Sequence, residues 1–161
     1  MSIPSLLQWV EGTDLSTAIR EGALPYPILG GVHLLAIALF GGMVLMTDFR
    51  LLGWAMRRTA VPDVVRQFQA WKRAGFVVLV ASGLLLAWAE PLKLYRSPSF
   101  WVKMALLALV GVHALVFRLR VYGKSARLDV AETVEGKLAA AISLVLWGGL
   151  IVSGRLIAYD A

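Results

Sequence analysis

The 161-residue chain has no cysteine, only two histidines, and charged residues at just 16% of its length. Without cysteine there is no disulfide, no thiolate metal site and no CxxCH attachment of haem. The motifs of the common hydrolases and nucleotide enzymes are also missing. There is no GxSxG, no phosphate-cradling GxxxxGK[ST] and no HExxH. Nor does any internal repeat or low-complexity tract stand out.

Hydrophobic residues are abundant, at 59% of the chain. Soluble domains hold roughly 45–50%, and so small a chain cannot hide that excess in one core. The composition implies an all-α integral membrane protein, a single membrane domain spanning residues 1–161. The formal net charge of +6 would suggest nucleic acid in a soluble protein. Here the basic residues flank apolar runs, so topology and anionic lipid explain them and no nucleic-acid partner is expected.

The central stretch is PILGGVHLLAIALFGGMVLMTDFRLL, Pro27 to Leu52. About 20 apolar residues cross a bilayer as a helix, and this run carries His33 well inside its length. An imidazole at that depth should face protein or a ligand instead of lipid. Four spans are expected, at about 27–49, 74–90, 99–118 and 138–158. They form an up-and-down four-helix bundle, preceded by an amphipathic interfacial helix within residues 1–24, where Leu6, Leu7, Trp9, Val10 and Ile19 can share one side. That segment lacks the basic start and compact apolar run of a signal peptide. Pro62 and Asp63 mark a helix start, Glu90 and Pro91 a stop, and Ser97–Pro98 an N-cap and first-turn pair.

Arg50, Arg57, Arg58, Arg66, Lys72 and Arg73 follow the first span, and Arg118, Arg120, Lys124, Arg127 and Lys137 follow the third. These are eleven of the 16 lysines and arginines. The positive-inside rule assigns both loops to the cytoplasm, which places both termini on the outer, periplasmic side of a bacterial inner membrane. Glycine pairs at 30–31, 41–42 and 148–149 let helices approach closely.

At about 1.5 Å per residue, His33, Lys103 and Met104 fall at similar depth below the outer ends of their spans. Arg155 and Glu90 lie nearer that surface, and His113 deeper, level with Met43 and Met46. Met104 and His113, nine residues apart, point to opposite faces of an ideal helix. Tyr26, Gly30, His33, Ile37 and Gly41 share one stripe, whose small residues leave room for something flat or for a close helix.

Three readings follow. Haem b takes a histidine and a second His or Met, and helical bundles build such sites from facing side chains. His33 is then one ligand, with Met104 or His113 opposite, while Lys103 and Arg155 face the propionates. The depth difference of roughly 10 Å between the histidines opposes one bis-histidine site; separate sites, His33 with Met104 and His113 with Met43, are the variant. Copper transfer is a second reading, because His and Met suit Cu(I), although the methionines are not clustered. The third is an accessory subunit of a larger membrane complex, with histidines tying helices together, methionines filling gaps and Lys103 and Arg155 snorkelling to headgroups.

The stretches LQWVEGTDLSTAIRE, VHLLAIALFGG, DFRLLG, RSPSFWVKMALLAL, VFRLRVY and SGRLIAYD together resemble a family of uncharacterised bacterial four-span inner-membrane proteins, over nearly the whole chain. The chain departs from that pattern at Gly30, where an acidic residue is usual, at His113, where asparagine is usual, and at Arg118, where histidine is usual. His33 is thus the firmer carry-over. More remotely, a first-span histidine with a lysine early in the third span looks like the copper resistance protein D group and the membrane-bound protoporphyrinogen oxidases. The resemblance implies a redox or metal association in the envelope.

Overall fold

The computed structural model describes residues 2–117 and 133–160. The expected second basic segment, with Arg118, Arg120, Lys124 and Arg127, lies outside the described residues. Among those described there are seven α-helices and no strand: α1 (Ile3–Glu11), α2 (Asp14–Glu21), α3 (Pro25–Leu51), α4 (Val61–Ala89), α5 (Pro91–Arg96), α6 (Pro98–Phe117) and α7 (Val134–Leu156). A 3₁₀ turn, Ile157–Tyr159, extends α7. Four of them, α3, α4, α6 and α7 with its extension, are long and apolar enough to cross a membrane.

Local chemistry sets the helix ends. Ser97 caps α6 by accepting the Phe100 amide at 3.0 Å, with Pro98 at the first helical position. That position needs no N–H and suits proline's fixed φ. Thr133 caps α7 through the Gly136 amide at 3.1 Å. Helix α4 starts at Val61 with Pro62 and Asp63 in its first turn, so the basic stretch VVRQFQAWKR forms its opening turns and runs unbroken into the apolar part.

The amphipathic segment expected as one helix is two. Gly12 ends α1, and the Thr13 hydroxyl starts α2 by accepting the Ser16 amide at 3.4 Å. The break folds α2 under the end of α4. There the Ser16 hydroxyl donates to the Ala89 carbonyl at 3.1 Å and the Arg20 guanidinium to the same oxygen at 3.3 Å. The last carbonyls of a helix have no partner within it, and a cation there also suits the helix dipole. Ile3, Leu6 and Trp9 remain exposed along one side of α1, as an interfacial helix requires.

The spanning helices run antiparallel. α3 packs on α4 and α7, and α7 packs on α6, whereas α4 and α6 have marginal contact at most. The result is a bundle with α3 and α7 at its centre, opened between its second and third spans. Its outer face is apolar, with Leu34, Leu35, Leu39 and Val145 exposed, and α6 buries no residue fully. This inside-out pattern suits hydrocarbon as the solvent. The tightest packing lies at the basic end, where Leu51, Val61 and Ala140 meet beside Val65 and Phe117. Of the glycine pairs, Gly41 sits under the Trp147 ring and Gly149 under Leu106, while Gly30 and Gly31 face open space.

Candidate functional site

His33 projects from α3 toward α4, half-buried, with its Nδ1 2.9 Å from the Ser82 hydroxyl oxygen. The Ser82 proton is already committed to the helix behind it. That hydroxyl donates to the Val78 carbonyl at 2.6 Å, with the Leu79 carbonyl at 3.2 Å. A serine turned back on its own helix offers only lone pairs to a neighbour. With the Ser82 proton so committed, the ring donates to that oxygen through Nδ1–H. In the neutral imidazole this tautomer leaves the Nε2 lone pair free. Fixing one ring nitrogen by a hydrogen bond is how proteins orient an imidazole whose other nitrogen binds a metal.

Glycine permits this approach. A Cβ on Gly83, the residue after Ser82, would stand 3.1 Å from His33 Cε1, so no larger residue fits without moving the ring. On the His33 side, Gly30 lies one turn toward the terminal end on the same stripe, and a Cβ there would meet no atom within 4 Å. The stripe thus keeps open space beside the ring.

Lys103 enters from α6. Its stem lies across Gly154 of α7, with Cε and Nζ each 3.8 Å from the place of a Cβ there. The missing side chain lets the lysine reach across α7 toward α3. Its ammonium is half-buried, without an acceptor among the described residues, and within electrostatic reach of His33.

The remaining expected site residues spread out. Met104 is half-buried next to Lys103 but about 100° further round α6. His113 lies about 15 Å along α6 from Lys103, and its ring stacks on Phe117 with centroids 6.3 Å apart. The two histidines are therefore not brought to one level. Arg155 is exposed, its guanidinium 5.5 Å from the centre of the Tyr159 ring, at the end of the bundle and outside the His33 cluster. Among the described residues no three His, Cys, Asp or Glu side chains converge as a metal site. A haem, which brings four nitrogen donors of its own, needs only one or two.

Ser82, Gly83 and Gly154 were missing from the sequence reading. Ser82 is 49 residues from His33, but it stands about as far below Glu90 as His33 stands below Pro25. The depth ruler that selected Lys103 also selects this serine, the one hydroxyl in an otherwise apolar half-helix.

Two further polar links close the terminal end. The Tyr26 hydroxyl donates to Glu90 at 2.8 Å, two turns above His33, and Lys93 meets the same carboxylate at 3.3 Å. Asp160 accepts from the Ser97 hydroxyl at 2.5 Å, the Ser99 amide at 2.8 Å and the Ser99 hydroxyl at 3.1 Å. These bonds, the Ser97 one first, hold the Asp160 carboxyl below the ordinary carboxylate range. They tie the end of α7 to the start of the helix that carries Lys103.

Fold and site together define a polytopic α-helical membrane protein with polar groups held inside its spans. The chain belongs to a family of unknown function (DUF6644), whose model matches residues 6–160. None of the curated proteins and none of the solved structures compared with the chain matches it.

Proposed function

We propose that the protein is an electron-transfer protein of the bacterial inner membrane that binds haem b through His33. The carrying observation is the Nδ1–Ser82 hydrogen bond, which leaves Nε2 as a fixed, unprotonated donor inside a spanning helix. The residues fit the group in three respects: a free imidazole nitrogen, open space beside it at Gly30, and the unpaired Lys103 ammonium within reach. Bound haem would supply one-electron chemistry. The chain's own part is to hold the ring through Ser82, to face the haem carboxylates with Lys103, and to exclude water with the apolar spans. Met104 would be the nearer candidate for a second ligand, and His113 lies too far along α6 to share the group. The basic loop at one end supports a cytoplasmic placement for that end and an outward placement for both termini.

Haem content per chain tests this reading in protein purified from cells able to make haem. About one haem per chain is expected, and a colourless protein with none contradicts it.

A second reading, an accessory subunit of a larger membrane complex, has its own support. An apolar groove of about 480 Å³ runs between α3 and α4, from Val32 and Val78 down to Met43 and Phe68. A protein without haem that co-purifies with defined membrane subunits would favour that reading. Copper transfer is less well supported, because among the described residues no three His, Cys, Asp or Glu side chains converge and the methionines are not clustered in the sequence.

A further inference from the structure

At the opposite end of the bundle from His33, Asp48 sits one turn inside α3, only 6% exposed. A Ser143 hydroxyl of α7 hydrogen-bonds the carboxyl group. Its Oδ2, however, is buried with no hydrogen-bond partner among the described residues. Buried polar atoms in native proteins are nearly always satisfied, and an acidic side chain inside a spanning helix marks a working site more often than a structural one.

The nearest cation does not close the pair. Lys72 of α4 is within electrostatic reach of Asp48, but its ammonium donates to the Thr47 hydroxyl oxygen at 2.8 Å. Thr47 in turn donates to the Met43 carbonyl at 3.1 Å. Among the described residues, the other charged side chains at this end are bonded elsewhere or exposed. Arg50 donates to the Thr59 carbonyl at 2.5 Å, and Arg73 of α4 and Glu135 and Lys137 of α7 are exposed. Asp48 thus keeps one oxygen open beside a half-buried lysine that leads to the basic end.

We propose that Asp48 is a proton-exchange site, whose open carboxylate oxygen takes a proton from water at the basic end and returns it there, with Lys72 and Ser143 as fixed neighbours. The step is R–COO⁻ + H₃O⁺ ⇌ R–COOH + H₂O, with no electron transferred. No existing hydrogen bond need break for Oδ2 to accept the proton. Had Lys72 bonded Asp48 directly, the same step would require an ion pair to open. The proposal is independent of haem binding by His33.

Infrared difference spectra of the full chain in lipid nanodiscs, recorded between high and low pH, test it. A protonated-carboxyl C=O component should appear on acidification, shift in D₂O and be lost in Asp48→Asn, while the other nine Asp and Glu side chains keep theirs. Lys72→Met should change the pH at which it appears. If Asp48→Asn loses helix content, Ser143→Ala decides the question, since it keeps the acid and removes its hydrogen bond: the band must then move in frequency. No such band at any pH at which the wild type keeps its helices overturns the proposal. So does a difference spectrum of folded Asp48→Asn that matches the wild type in every C=O component, or one left unmoved by Ser143→Ala.

Discussion

The His33 ring donates its Nδ1 proton to Ser82 across 2.9 Å, joining α3 to α4 in the half of the bundle that bears the chain termini. This bond determines which nitrogen of His33 can act as a ligand. Outer-shell partners of this type change metal affinity by about 10–100-fold when removed. Ser82→Ala is therefore expected to lower haem affinity by roughly that factor while leaving the protein folded. A haem titration of the apoprotein measures it.

Gly83→Ala tests the same contact from the other side. A Cβ 3.1 Å from His33 Cε1 is tighter than side chains normally pack, and Ser82 holds the ring on the adjoining residue. The ring must swing away or the helices part. Overpacking of this kind costs about 1–3 kcal/mol. Thermal unfolding in detergent should register a lower midpoint, with haem binding weakened alongside. An unchanged midpoint would show that the ring is free to move.

Lys103→Met removes a positive charge near the proposed haem without removing the methylene stem that lies over Gly154. A cation favours the reduced, more electron-rich haem, so its loss should lower the midpoint potential. A shift on the order of 50 mV corresponds to about a tenfold change in a one-electron equilibrium. Redox titration of the two proteins gives the value, and a potential that rises would place Lys103 away from the group.

Acid should loosen the terminal end first at Asp160. Three hydrogen bonds hold its carboxyl below the ordinary value of 3.8, so the folded state favours the ionised form. The stability this contributes is fully present above the unfolded-state value and is lost as pH falls through the lower, folded one. Below about pH 4, hydrogen exchange at the Ser99 and Phe100 amides should accelerate. Asp160→Ala should show the faster exchange already at neutral pH.

Much of this architecture was legible in the sequence because membrane spans are written in long apolar runs. The Ser97–Pro98 cap of α6 and the Pro62–Asp63 start of α4 stand where their chemistry predicts. Other features depend on which helices touch, and a hydrophobic run says nothing about that. The sequence reads residues 1–24 as one interfacial helix, whereas Gly12 and Thr13 break it and fold α2 onto Ala89. Depth arguments grouped His33, Glu90, Lys103 and Arg155 together with Met104. They could not separate the exposed Arg155, stacked on Tyr159, from Lys103, which reaches inward over Gly154. Lys72 read as part of a basic loop, yet it is a half-buried residue of α4 bonded to Thr47.

The most direct test of the account is the oxidised and dithionite-reduced absorption spectrum of the purified wild type and His33→Ala, both expressed in cells that make haem. A Soret band and reduced α-band in the wild type, lost in a His33→Ala protein that still folds, is the predicted result. A wild type without those bands, or a His33→Ala spectrum identical to a haem-loaded wild type, would contradict the assignment of His33 as the haem ligand.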